Sequence, residues 1–106
     1  VLIMGGLDKG GDFVRLQHLV KRRVCRLILI GEAAAKIERS LGHSTWVSKE
    51  EDLEEAVVQA SRCARPGDTV LLAPGCASFD MFRNYEHRGQ VFKEIVARIV
   101  HDQDRL

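Results

Sequence analysis

Apolar positions along the chain follow two periods. Val1-Leu2-Ile3-Met4 is an unbroken apolar run stopped by Gly5-Gly6, and Leu27-Ile28-Leu29-Ile30, the centre of residues 24–30, is a second run stopped by Gly31. Short runs of this kind, ended by glycine, read as strands buried on both faces. Residues 44–47 and 69–73 are β-prone and supply a third, outer strand and a fourth. Between the runs the period lengthens. Phe13, Leu16, Leu19 and Val20 recur at helical spacing behind Asp12, a residue suited to cap a helix. Residues 32–41 form an alanine-rich helical segment that Gly42 can terminate. Ser48 and Glu51 have capping-box spacing for a helix reaching about residue 64, with Leu53, Ala56, Val57 and Ala60 on one face. Arg65-Pro66-Gly67-Asp68 reads as a turn. Residues 79–82 could form one helical turn. A last helix, residues 86–100, turns Phe92, Ile95, Val96 and Ile99 to the core.

The resulting order, β-α-β-α-β-α-β-α, predicts an α/β fold with a mostly parallel sheet and helices on both faces. Right-handed crossovers favour strand order 3-2-1-4, to which an edge strand could be added. The expected architecture is a Rossmann-like three-layer sandwich. Ligands of such sheets bind beyond the carboxyl ends of the strands, where the winding reverses. Here that place lies between the first and fourth strands, at the loops 5–12 and 74–84, which are also the two most unusual loops in the sequence.

With 106 residues the chain makes one domain, long enough to bury a core unaided. A net charge of +1 gives no field that would draw nucleic acid or an anionic membrane. Lys21, Arg22 and Arg23 cluster at a helix end, where positive charge is favourable. Cys25, Cys63 and Cys76 are odd in number and form no CxxC pair, so neither a disulfide framework nor a zinc site is expected, and free thiols suit a reducing cytoplasm. His18, His43, His87 and His101 lack metal-ligand spacing. No apolar run reaches membrane-spanning length and no signal peptide opens the chain. Because the sequence starts inside a core strand, a fragment of a longer, cytoplasmic and monomeric protein is expected.

The first loop, Gly5-Gly6-Leu7-Asp8-Lys9-Gly10-Gly11-Asp12, combines glycines, a lysine and a following helix start. It fits a carboxylate or phosphate site as well as it fits a plain strand-to-helix turn with an exposed lysine, and both readings stand. It matches neither GxxxxGK[ST] nor GxGxxG. In the second loop, Ala73-Pro74-Gly75-Cys76-Ala77-Ser78-Phe79-Asp80, Ser78 reads as a cap that could also bind an anion. It has no GxSxG context for a nucleophile. Cys76 reads as a small packing residue, and Phe79, Phe82 and Tyr85 as packing groups. The acidic run Glu50-Glu51-Asp52 suits a first helical turn and needs no other explanation.

The residues of these two loops, 5–13 (GGLDKGGDF) and 78–92 (SFDMFRNYEHRGQVF), resemble two elements of the D-glutamate-adding members of the Mur ligase family, and the likeness extends over essentially the whole chain. The resemblance implies the C-terminal, amino-acid-binding domain (residues 1–106) of a three-domain ligase. That enzyme uses ATP and Mg2+ to phosphorylate the carboxylate of UDP-N-acetylmuramoyl-L-alanine, and D-glutamate then attacks the acyl phosphate. It further implies that Lys9 pairs with a D-glutamate carboxylate, that Ser78 and the backbone at Phe79 hold a carboxylate, and that Tyr85 lines the pocket. No catalytic or metal-binding residue of the family falls within the chain. ATP and the UDP-sugar would be held by the other domains, none of these cofactors by this one, and the isolated chain is expected to be inactive.

Three rivals remain at this point, one of them a purely structural or docking domain whose isolated form binds nothing. A relative adding lysine, diaminopimelate or glutamates to folate would share the fold, although a diaminopimelate-adding one would be expected to carry a DNPR-like motif, absent here. A stand-alone Rossmann nucleotide-binding domain would use an acidic residue near Glu32, but the glycine spacing is wrong for it.

Overall fold

The structure is a computed structural model, and it describes residues 1–6, 10–73 and 84–104, with side chains up to His101. Among these residues four strands, β1 (Leu2–Gly5), β2 (Arg26–Ile30), β3 (Trp46–Lys49) and β4 (Leu71–Leu72), form one sheet in the order β3-β2-β1-β4. Every pairing is parallel. Among the described residues four α-helices alternate with them: α1 (Gln17–Arg23), α2 (Ala34–Leu41), α3 (Leu53–Cys63) and α4 (Tyr85–Asp104). Fold class, strand order and alternation match the sequence prediction.

Alternation within the strands builds two cores. Leu27 and Leu29 of β2 and Met4 of β1 face one way and pack with Phe13, Val20, Ile37 and Leu41 from the α1–α2 layer. Ile28 and Ile30 with Ile3 face the other way, against Leu53, Ala56, Val57 and Ala60 of α3 and Ile95 of α4. Residues 2–4 of β1 and 27–30 of β2 are therefore apolar without interruption, because a strand covered on both sides has no solvent face. The partly buried Phe92, Val96 and Ile99 complete the α4 contribution.

Local predictions fail where short polar residues had competing uses. Ser48 does not cap α3: it lies in β3 opposite Ile28, and its buried hydroxyl has no partner among the described residues. Asp52 is the cap, its Oδ1 accepting the Glu55 N–H at 2.8 Å. The pair Asp52/Glu55 has the same spacing as Ser48/Glu51, and tertiary pairing of β3 with β2 decides between them. Asp12 precedes the next helix but forms no side-chain cap, and that helix begins as a 3-10 turn, Phe13–Leu16. Leu19 is 59% exposed rather than core, since in α1 it stands about 100° around the axis from the buried Val20. Gly42 does terminate α2, in right-handed helical geometry, its N–H donating to Glu38 O at 2.7 Å.

Candidate functional site

The two unusual loops leave the sheet from neighbouring strands. Leu2 is in register with Leu71 and Ile3 with Leu72, and the Ala73 N–H donates to Ile3 O at 3.1 Å. α1 and α2 lie on one face of the sheet and α3 and α4 on the other, so the winding reverses between β1 and β4. Both loops therefore start at the carboxyl edge of the sheet, on either side of this reversal.

The start of the first loop is held by its backbone. Gly5 and Gly6 adopt φ of +133° and +134°. The Gly6 N–H donates to Ile30 O at 3.1 Å, and Gly6 O accepts the Ala33 N–H at 2.9 Å. A Cβ on Gly5 would lie 1.9 Å from Ile30 O. These glycines let β1 end hard against β2 and the entry to α2. Since the Gly6 N–H is already bonded, this glycine serves close packing rather than presenting a donor to an anion.

Gly10, with φ of +83°, and Gly11 close the loop. Gly11 lies against the ring of Phe13, whose Cζ would be 3.1 Å from a Cβ placed there. Phe13 is 4% exposed, and the Lys36 ammonium of α2 stands 5.7 Å from its ring centroid. Phe13 ends the 5–13 element, but no sequence pattern marks Lys36, which lies far from it in the chain and meets it only through packing of α2 beside the loop. At the other loop, Asn84 caps α4: its Oδ1 accepts the His87 N–H at 2.8 Å and its carbonyl accepts the Arg88 N–H at 3.1 Å. An asparagine three residues before a helical N–H is the signal that could have placed this helix start.

Of the site residues named from sequence, Lys9, Ser78 and Phe79 lie outside the described residues, as do Asp8, Cys76, Asp80, Phe82 and the expected helical turn at 79–82. Tyr85 is the first residue of α4 and is 69% exposed. Its ring is thus no part of either core. Cys25 and Cys63 are free thiols. Among the described residues, no group of three or more His, Cys, Asp or Glu side chains is placed to hold a metal ion, and no helix is long and apolar enough to cross a membrane.

No family model matches the chain. Curated relatives do. The UDP-N-acetylmuramoylalanine--D-glutamate ligase of Salinibacter ruber is 48% identical over 101 residues, covering 94% of this chain and 22% of the relative. The protein of the same name from Coxiella burnetii is 51% identical over 96 residues, covering 91% and 22%. That from Chloroherpeton thalassium is 50% identical over 99 residues, covering 93% and 21%. The chain spans about a fifth of the length of these relatives. Identity near one half along almost the whole chain, joined to the α/β fold and to loops that open side by side at the winding reversal, leads to one assignment. The chain belongs, as a domain, to the UDP-N-acetylmuramoylalanine--D-glutamate ligase family.

Proposed function

We propose that residues 1–106 are the C-terminal, D-glutamate-binding domain of an ATP-dependent ligase that joins D-glutamate to UDP-N-acetylmuramoyl-L-alanine in peptidoglycan biosynthesis, in the cytoplasm. The observation that carries this reading is the departure of the two motif-bearing loops from adjacent strands at the carboxyl edge of the sheet. The names of the relatives supply the amino acid.

D-Glutamate presents two carboxylates and one amine. In this reading Lys9 pairs with one carboxylate by a charge-assisted hydrogen bond. The Ser78 hydroxyl and the Phe79 backbone N–H hold a carboxylate, and Tyr85 borders the pocket. Holding both carboxylates leaves the amine as the free end, directed toward the rest of the enzyme. ATP and Mg2+ belong to the other domains. There the γ-phosphoryl group passes to the alanyl carboxylate with loss of ADP. The amine lone pair then forms the C–N bond as the C–O bond to phosphate breaks, with loss of the amine proton. This domain contributes orientation to that attack, and the chain alone has no ligase activity.

The test uses steady-state kinetics of the full-length ligase. Lys9→Ala and Ser78→Ala are each expected to raise the KM for D-glutamate by tenfold or more while leaving the KM for ATP within twofold, the loss of one charge-assisted bond being worth about 1.5–3 kcal/mol. An unchanged KM for D-glutamate in both variants would remove the assignment.

A further inference from the structure

The two faces of the sheet are covered unequally. On one face α3 and α4 pack over the central strands, and Leu72 of β4 joins that core. On the other face the described helices α1 and α2 pack with Met4, Leu27 and Leu29 of β1 and β2. Leu71 of β4 shares this second face with its register partner Leu2, yet it is 54% exposed. Beside α1 lies a groove of about 550 Å³, floored by Leu2, Met4, Leu71 and Ala73 and walled by Leu16 and Leu19. Its lining is almost entirely apolar. An apolar strip of sheet next to a packed helix is the seat of a second helix, about 8–10 Å from the first.

Handedness fixes how such a helix connects. From β1 to β2 and from β2 to β3 the chain steps away from β4, and α1 and α2 lie on the grooved face. From β3 to β4 it steps the other way, and α3 lies on the opposite face. Opposite steps on opposite faces share one hand, the right-handed one that parallel crossovers adopt. A helix of that hand over β4 and β1 on the grooved face descends from a parallel strand outside β4 and leads into β1. The helix that leaves β4, α4, packs on the opposite face and cannot fill the groove. The chain spans about a fifth of its relatives, so the family polypeptide extends well beyond these residues. We propose that the groove seats an amphipathic helix of the same ligase polypeptide, from a strand–helix unit ahead of Val1 whose strand pairs in parallel with the outer edge of β4. The helix turns an apolar stripe to Leu71 and Leu19 and a polar face to water. The inference rests on family membership and topology, and it holds whichever amino acid the loops bind.

Two probes test this. The Leu71 and Ala73 N–H groups donate to Val1 O and Ile3 O at 2.9 and 3.1 Å, so the Leu72 N–H between them points to the outer edge of the sheet. Hydrogen exchange at Leu72 therefore reads the added strand and needs no substitution. Leu71→Cys, labelled with a maleimide and located by peptide mass spectrometry, reads the groove, with the exposed Cys25 as internal reference. Both are measured in the chain, in the chain lengthened by about 30 residues of the ligase sequence ahead of Val1, and in the full-length ligase. In the lengthened chain and the full-length ligase, exchange at Leu72 and labelling at position 71 are expected to slow on the order of tenfold or more, with Cys25 unchanged. Slowing in the full-length ligase but not in the lengthened chain assigns the groove to another domain and overturns the proposal. Equal rates in all three forms also overturn it. So does labelling of the chain alone that slows with concentration as it dimerises, which assigns the groove to a second copy.

Discussion

Gly5 and Gly10 both have positive φ at opposite ends of one loop, yet the structure predicts very different consequences of adding a methyl group to each. At Gly10, with φ of +83°, a Cβ meets no atom of the described residues within 4 Å. Gly10→Ala therefore carries only backbone strain, about 1–2 kcal/mol. At Gly5 a Cβ would sit 1.9 Å from Ile30 O, whereas a carbon–oxygen contact needs about 3.3 Å. Relief requires β1 to move away from β2 by about 1.4 Å, a large fraction of the ~4.8 Å strand spacing. That shift breaks the bonds from Gly6 N–H to Ile30 O and from Ala33 N–H to Gly6 O. Two backbone bonds at about 1 kcal/mol each, with about 1–3 kcal/mol of strain, put Gly5→Ala at about 3–5 kcal/mol. This is a large part of the stability of a domain this size. Urea denaturation followed by far-UV circular dichroism reads both variants. Equal losses for the two, or a loss under about 1 kcal/mol for Gly5→Ala, would refute the account of why β1 ends in glycine.

Two further pairs test the local corrections. Asp52→Ala should cost about 1 kcal/mol in urea denaturation by removing the α3 cap, whereas Ser48→Ala should be neutral or slightly stabilising because the buried hydroxyl has no partner among the described residues. The reverse ranking would restore Ser48 as the cap. Ile95→Ala should cost about 2–4 kcal/mol and Leu19→Ala under about 1 kcal/mol, since Ile95 is 3% exposed and Leu19 59%. Comparable losses in thermal melts would place Leu19 back in the core.

The sheet was legible because its apolar runs are uninterrupted. Leu27-Ile28-Leu29-Ile30 has no polar position, which only a strand covered on both sides permits, and the alternation with helices then fixes the order around it. Strand ends were less legible. Residues 24 and 25 lie outside β2, and 69 and 70 outside β4, because backbone pairing rather than side-chain character sets where a ladder stops. The α3 cap is not encoded locally, because two short polar residues compete for it. Ser48 and Asp52 each precede a glutamate by three, and β3 pairing, a long-range effect, settles the choice. For the candidate site, topology places both loops at the carboxyl edge of the sheet, and their departure from adjacent strands agrees with that expectation. The support beneath the first loop was not legible. Phe13 and Lys36 meet across 23 residues of chain, and no local pattern encodes that contact.

The proposed D-glutamate site is formed by the loops after β1 and β4. A chemical-shift titration of the chain with D-glutamate and, separately, L-glutamate tests it most directly. Saturable shifts at residues 5–12 and 74–85 with D-glutamate, and much weaker ones with L-glutamate, are the predicted result. Shifts confined to other parts of the chain, or identical responses to the two enantiomers, would contradict it.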